Sequence, residues 1–258
     1  LTAMAAFPLM LPGTSRPPKL VVFDLDHTLI ACDATILWTE FLYEKKIVTD
    51  PIWRQYDRDM VKSYAKGVLD IRDFCRKHSG AFRSIPEEKL HALAQEFAKK
   101  KIAPLIFPDG KKWAKNALQA NIPACVLSAS AAFIVKPIAK LFGLTDAMGI
   151  ELAFKDGFCT GEIVGIPTFQ EGKVERLSER LAEAGIGFED VLFFTDSRND
   201  LPLAERAGYT VCVNPDAVLE SAARKNGWKV AEWKLSLRTQ MTAQVDAKGV
   251  PETQTVRS

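Results

Sequence analysis

The chain has 258 residues, 47% of them hydrophobic, enough for one α/β domain with a sizeable insertion or for two small domains. Its 34 basic and 32 acidic residues leave a formal charge of +2, so no global basic field speaks for nucleic acid or an anionic membrane as partner. Cys32, Cys75, Cys125, Cys159 and Cys212 are scattered, odd in number and never closely paired, which argues against a zinc knuckle or a disulfide framework and for a reducing, cytoplasmic setting.

Residues 1–18 read as a flexible leader. Its apolar stretch, 3–11, has no basic residue before it and is interrupted by Pro8 and bounded by Pro12, a poor secretory signal. No segment approaches the roughly 20 apolar residues of a membrane-spanning helix. Leu20-Val21-Val22-Phe23 is a short, continuous apolar run, as expected of a strand buried on both faces of a parallel sheet. From residue 34 to about 101 only helical patterns follow. Leu37, Trp38, Phe41 and Leu42 mark the first, 53–66 the second, 69–78 the third, and Leu90, Leu93 and Phe97 the last. That last helix begins with acids at Glu87-Glu88 and closes with Lys99-Lys100-Lys101, a charge order suited to the helix dipole.

Helix without a strand over about 70 residues, directly after the first strand, predicts an inserted helical cap. Apolar runs return at Ala124-Cys125-Val126-Leu127, Val191-Leu192-Phe193-Phe194 and Tyr209-Thr210-Val211-Cys212-Val213, with helices between them that stop near Gly143 and Gly185. Two short runs around Lys155-Asp156-Gly157, within 150–164, signal a hairpin. The alternation implies an α/β fold with a doubly wound, mainly parallel sheet. The expected layout is a core over 19–33 and 103–235, a cap over 34–102, and a polar, loosely ordered tail over 236–258.

In open parallel sheets, ligands bind outside the carboxyl ends of the strands. Four such ends carry suggestive residues. Asp24 and Asp26 follow the first strand; crowded carboxylates repel unless a hard cation such as Mg²⁺ shares them, although an isolated Asp-x-Asp is more often a solvated acidic turn. Ser128-Ala129-Ser130 follows the second and reads as the opening of a helix, where free N–H groups and a hydroxyl suit an anion; plain capping by Ser130 is the alternative. Lys173 stands at the start of a helix, the end that disfavours a positive charge, so either an anion lies beside it or it is simply solvated. Asp196 and Asp200, with Asn199 between them, follow the strand of Phe194 and could reach the same metal site, or form a solvated loop. The joint occurrence of all four, in order at strand ends of one sheet, favours the functional reading of each.

Asp24-Leu25-Asp26-His27-Thr28, then Ser128, Lys173, and Asp196 with Asp200 resemble the four ordered motifs of the haloacid dehalogenase superfamily, over about residues 20–230. The helical insert resembles the cap of its phosphoserine phosphatase-like branch, subfamily IB. Leu37-Trp38-Thr39-Glu40-Phe41-Leu42, Gly165-Ile166-Pro167-Thr168-Phe169-Gln170-Glu171-Gly172-Lys173 and Asp196-Ser197-Arg198-Asn199-Asp200-Leu201-Pro202-Leu203 resemble a bacterial subgroup that contains histidinol-phosphate phosphatases.

The resemblance implies a Mg²⁺-dependent phosphatase in which Asp24 attacks phosphorus and Asp26 protonates the leaving alcohol, then activates water. It implies Mg²⁺ held by the Asp24 carboxylate, the Asp26 backbone carbonyl and Asp196, with Asp200 in support. Ser128, the Ala129 N–H and Lys173 would hold the phosphoryl oxygens, with Asn199 orienting them or a metal-bound water. An acid at Asp26 favours phosphoryl chemistry over dehalogenation, since the dehalogenase branch lacks one there.

The substrate implied is a small phosphorylated metabolite, with histidinol phosphate ranked ahead of phosphoserine. Asp33 stands where phosphoserine phosphatases have a glutamate that meets the substrate amino group, but it serves equally well as a helix N-cap. His27 departs from the usual small residue of that family, and Ser197-Arg198 from its glycine-containing pair. Trp38, Trp53, Arg54 and Arg58 are candidates for the cap side of the pocket, against the commoner fate of aromatic residues at helical spacing, which is core. A phosphate-binding protein with an idle pocket is the alternative from another class; no motif residue is missing, which disfavours it. Nothing in the sequence speaks to the oligomeric state.

Overall fold

The structure, a computed structural model, describes residues 16–236; the expectations for the leader up to residue 15 and for the tail from 237 onward lie outside the described residues. The first element, β1 (Leu20–Phe23), shows why a continuous apolar run makes a central strand. Val21 and Phe23 point into the larger core cluster on one face of the sheet, while Leu20 and Val22 enter the cluster on the other. Strands β2 (Ala124–Ala131) and β6 (Val191–Thr195) flank β1 in parallel and divide their side chains in the same way.

Five helices separate β1 from β2: α1 (Ala34–Glu44), α2 (Ile52–Lys66), α3 (Ile71–His78), α4 (Glu87–Phe97) and α5 (Pro108–Gln119). Local chemistry sets their limits. Asp33 accepts from Ile36 N–H (3.0 Å) to cap α1, Asp70 caps α3 through Arg72 and Asp73 N–H, and Gly67 ends α2 at φ 72°. The lysine run expected at the end of α4 lies on a π-turn over Ala98–Ile102. The insert is not a detached lid: Trp38, Phe41 and Phe97 pack with Phe133 of the α/β body, Trp38 meeting Phe97 and Phe133 edge-on at 5.4 and 5.6 Å.

After β2 come α6 (Ala132–Ala139), β3 (Asp146–Ile150), the hairpin β4 (Leu152–Lys155) and β5 (Phe158–Ile163), and α7 (Glu171–Ala184). The chain closes its described part with β6, α8 (Leu201–Ala204), β7 (Tyr209–Val213), α9 (Ala217–Asn226) and β8 (Lys229–Ala231). The six-stranded sheet has the order β3-β2-β1-β6-β7-β8, with every pair parallel. The hairpin turns at Asp156-Gly157, both at positive φ, the geometry that twists two strands into register. Among the described residues no helix is long and apolar enough to cross a membrane.

One expectation needs correction here. Ser128 does not open a helix: β2 runs on through an irregularity in its register between Leu127 and Ala131, and α6 begins only at Ala132. Ser130 therefore caps nothing; Ala131 holds the N-cap position without a side-chain bond.

Candidate active site

The site forms where β1 ends beside β6. Asp24 N–H donates to Phe194 O (2.9 Å), continuing the ladder, and the chain then turns sharply, with the N–H groups of Thr28, Leu29 and Ile30 all directed at Leu25 O. His27 makes that turn at φ 56°, in the left-handed region that glycine adopts freely and that Asn, Asp and His enter more readily than other residues with a Cβ. The turn brings Asp24 and Thr28 together. Thr28 Oγ1 lies 3.2 Å from Asp24 Oδ2 and 3.2 Å from Asp196 Oδ1, so one hydroxyl bridges the ends of β1 and β6.

Lys173, in the first turn of α7, is 1% exposed; its Nζ lies 2.7 Å from Asp24 Oδ1 and 2.8 Å from Asp200. The anion anticipated beside this lysine is thus a pair of carboxylates. Gly172 makes the approach possible, because a Cβ there would lie 1.9 Å from Pro167 O. Thr195 Oγ1 holds the same Asp200 carboxylate (2.7 Å).

Asp26 turns the other way. Its Oδ1 accepts from Ala34 N–H at the start of α1 (2.6 Å), and its Oδ2 from Ser130 Oγ (2.9 Å) and Ser128 Oγ (3.2 Å). Ser130 is a site residue that the sequence reading assigned to capping. Read as strand, positions 128 and 130 would have shared one face, and that period was the available signal.

Asn199 Nδ2 donates to Tyr64 O (3.0 Å) and Ser197 Oγ (3.3 Å), and its Oδ1 accepts from Gln170 Nε2 (3.0 Å), which also reaches Gly67 O (3.2 Å). Two amides from the α/β body thus fasten the C-terminal end of α2. Nothing in the sequence pattern marked Gln170 for this.

Burial dominates the electrostatics. It raises the Asp24 carboxyl against the attraction of Lys173, with Asp26 adding repulsion. It takes Asp26 to about 6, helped by Asp33, and Asp200 to about 6 despite Lys173. Asp196 is raised well above the ordinary carboxylate range by burial and then by Asp24 and Asp200. Burial alone would lower Lys173, but Asp200 and Asp24 outweigh it and hold the ammonium charged.

Three carboxylates, Asp24, Asp196 and Asp200, gathered around one ammonium leave an excess of negative charge that a hard cation would neutralise. Among the described residues no three acidic, imidazole or thiol side chains form a ready-made cage. The reason is visible: Asp26 and Asp200 are bonded elsewhere, which leaves Asp24 and Asp196 facing each other across Thr28. Two carboxylates, a backbone oxygen and retained waters are the donor set that suits Mg²⁺.

A pH-dependent consequence follows. Carboxyls raised by folding bind protons more tightly in the folded than in the unfolded chain, so their contribution to stability falls as pH rises from about 4 through about 6. Mg²⁺ is therefore expected to raise the Tm more at about pH 7.5 than at about pH 5, measured by thermal melts against chelator-treated protein. Asp24 and Asp196 are raised by burial as well, so an equal effect at both pH values would show that they do not hold the ion.

Above the carboxylates lies a cavity of about 210 Å³. Asp24, Asp26, His27, Asp33, Ala129, Ser130 and Asp196 line it from the body side, and Met60, Val61, Tyr64, Leu69, Ile71 and Phe74 from α2, α3 and the segment between them. The four residues nominated for its cap side are elsewhere. Trp38 is in the shared core, Trp53 packs on Gly80, Arg54 pairs with Glu40 (2.6 Å) and Arg58 with Gln55 (2.7 Å). A larger groove of 710 Å³ between α4, α6 and β4 contains none of the clustered carboxylates, so size alone does not locate the site.

A parallel α/β sheet with ordered acids, a hydroxyl and a buried lysine at the ends of its strands is the frame of one hydrolase class. Residues 21–205 match the haloacid dehalogenase-like hydrolase family, and the chain belongs to it. It is 35% identical over 220 residues to a histidinol-phosphatase of Neisseria meningitidis serogroup C (strain 8013), covering 84% of this chain and 99% of that protein. Among solved structures, a Bordetella pertussis Tohama I protein of unknown function is 31% identical with a TM-score of 0.74, covering 82% of this chain and 96% of that one. A phosphoserine phosphatase solved as a phospho-aspartyl intermediate analogue shares the fold at 21% identity and a TM-score of 0.63, covering 88% of this chain and 99% of that one.

Proposed function

We propose that the chain hydrolyses a small phosphomonoester whose leaving alcohol carries an amine and no carboxylate, histidinol phosphate being the best fit. It is a phosphoric monoester hydrolase. The observation that carries the narrower reading is the cavity wall: Asp24, Asp26, Asp33 and Asp196 line it with His27, and no lysine or arginine does. A cationic leaving group suits that wall. The carboxylate of phosphoserine would face other carboxylates without a partner. The kinship to a protein named histidinol-phosphatase supports the same choice.

In this reading Asp24 attacks phosphorus in line. The P–O bond to the leaving alcohol breaks, and Asp26 supplies that oxygen's proton. Asp26 then takes a proton from the water that attacks the aspartyl-phosphate, releasing inorganic phosphate and regenerating Asp24. A carboxyl raised to about 6, and bonded to two hydroxyls and one N–H, is suited to both transfers. Lys173, the Ala129 N–H and Ser128 hold the phosphoryl oxygens; the Ser128 hydroxyl, now donating to Asp26, turns toward them once Asp26 is protonated. Mg²⁺, when bound by Asp24, Asp196 and the Asp26 carbonyl, offsets charge on the phosphoryl group. Asp200 fixes Lys173 from behind. The cap, over 34–102, excludes competing water, and the Asn199 and Gln170 amides keep α2 in place above the site.

The test is phosphate release with Mg²⁺ from histidinol phosphate, phosphoserine and other small monoesters. Histidinol phosphate is expected to exceed phosphoserine in kcat/KM by about 100-fold, the scale of a like-charge penalty of ~3 kcal/mol. Equal values would overturn the substrate reading; turnover of no compound, with several bound, would overturn the enzymatic one.

A further inference from the structure

We infer that Asp57 is a specificity-determining residue, which makes the cavity select a positively charged leaving group from a position just behind its wall. The inference rests on the phosphatase reading and adds a residue to it. Asp57, Met60, Val61 and Tyr64 follow the spacing that places side chains on one face of a helix, and the last three line the cavity. Asp57 therefore continues the face of α2 that looks toward the site.

The Asp57 side chain is 6% exposed, and neither carboxylate oxygen receives a hydrogen bond. The nearest cationic candidate is His78 Nε2, 3.3 Å from Oδ1. Thr39 Oγ1 is the nearer partner of that nitrogen, at 2.9 Å, and itself reaches Thr35 O (3.3 Å). His78 therefore brings an imidazole close to Asp57 but no hydrogen bond to its carboxylate.

A carboxylate buried without donors is a burden on the fold, and an apolar residue would join α1, α2 and α3 at lower cost. Its field has an outlet instead. Thr35, Phe74 and Ala129 line both the cavity and the small recess that contains His78, so the histidine beside Asp57 and the cavity share those walls. The field also reaches Asp33 in the cavity wall, which burial first, and then repulsion from Asp57 and Asp24, raise to about 6 against the N–H groups of Ile36 and Thr35. A cation in the cavity would relieve Asp33 and Asp57 together. A neutral group of the same size would relieve neither.

The test compares 3-aminopropyl phosphate with butyl phosphate, monoesters of similar length that differ in charge, in wild type and in Asp57→Asn. The variant is expected to lower kcat/KM for the amine about 10-fold, through KM, and to leave butyl phosphate within about two-fold. Asp57→Glu is expected to restore most of the preference. If Asp57→Asn lowers both substrates equally, or neither, the residue is only a structural tie and the inference is overturned. Should that variant fail to fold, Asp57→Asn with His78→Gln places two amides able to bond one another, and the same ratio decides. Wild-type protein that hydrolyses neither ester nor any other monoester overturns the phosphatase reading instead.

Discussion

Asp24→Asn is expected to abolish phosphate release, lowering kcat by roughly 10⁴- to 10⁶-fold, while the fold persists. The amide has the shape of the carboxylate: its oxygen still accepts from Lys173 at 2.7 Å, and its NH2 can donate to Thr28 Oγ1 at 3.2 Å, whose own hydrogen then goes to Asp196. What disappears is the oxygen that attacks phosphorus in the proposed reaction. No neighbour can replace it: Asp26 is held by Ala34, Ser128 and Ser130, and Asp200 by Lys173 and Thr195. The neutral side chain also removes a buried charge whose carboxyl burial had raised, offsetting the weakened tie to Lys173. The Tm is therefore expected to change by a few degrees at most, as for roughly 1 kcal/mol in a domain of this size. Rapid-quench measurement of phosphate release, with binding of inorganic phosphate as the control for an intact pocket, decides the matter. Retention of more than about 1% of turnover would mean that water attacks phosphorus directly and that Asp24 is no nucleophile.

The parts of the molecule that the sequence made legible share one physical property. β1, β6 and β7 are buried on both faces, so their residues are almost all apolar, the exceptions being the buried threonines Thr195 and Thr210. β3 hides because Asp146 and Gly149 break that pattern. Asp146 pairs with Arg180 at the sheet edge, and a Cβ at Gly149 would lie 2.8 Å from Ser130 O and Ala132 Cα. β8 is three residues long and half exposed, too little to leave a pattern. Asp24, Asp26, Lys173, Asp196 and Asp200 were legible because each stands within a few residues of the point where a strand ends or a helix starts. Ser130 was not, because taking Ser128 as the opening of a helix hid the two-residue period that aims both hydroxyls at Asp26. The cap was legible only in part. Its tryptophans follow the commoner fate of core, Trp38 filling the joint with the α/β body, while the wall is made by Met60, Val61 and Tyr64 on a mostly polar helix, with Leu69, Ile71 and Phe74 beyond it. Asp57 sits on that same helix, where a sequence offers no means of telling a buried acid from a solvated one.

Lys173→Met is expected to cost roughly 3–5 kcal/mol of folding stability at neutral pH and to leave no measurable turnover. Both effects come from one position. At 1% exposure, between Asp24 at 2.7 Å and Asp200 at 2.8 Å, the ammonium is what permits two buried carboxylates to stay charged. Methionine fills much of the same space, so the loss is electrostatic rather than a cavity. The two acids, already raised by burial, then rise further, and in metal-free protein they take up protons on folding. Raised carboxyls penalise the folded state increasingly as pH rises through their folded values, so the deficit is expected to be larger at about pH 7.5 than at about pH 5.5. Urea titrations of wild type and variant at both pH values measure it. Asp200→Asn in the Lys173→Met background removes one of the stranded acids and is expected to recover part of the stability. It is not expected to recover turnover, because the phosphoryl oxygens still lack their cation and the nucleophile its partner. A deficit below about 1 kcal/mol, or one independent of pH, would mean that the lysine is not what keeps these acids charged. Recovery of turnover in the double variant would mean that Lys173 serves the fold alone.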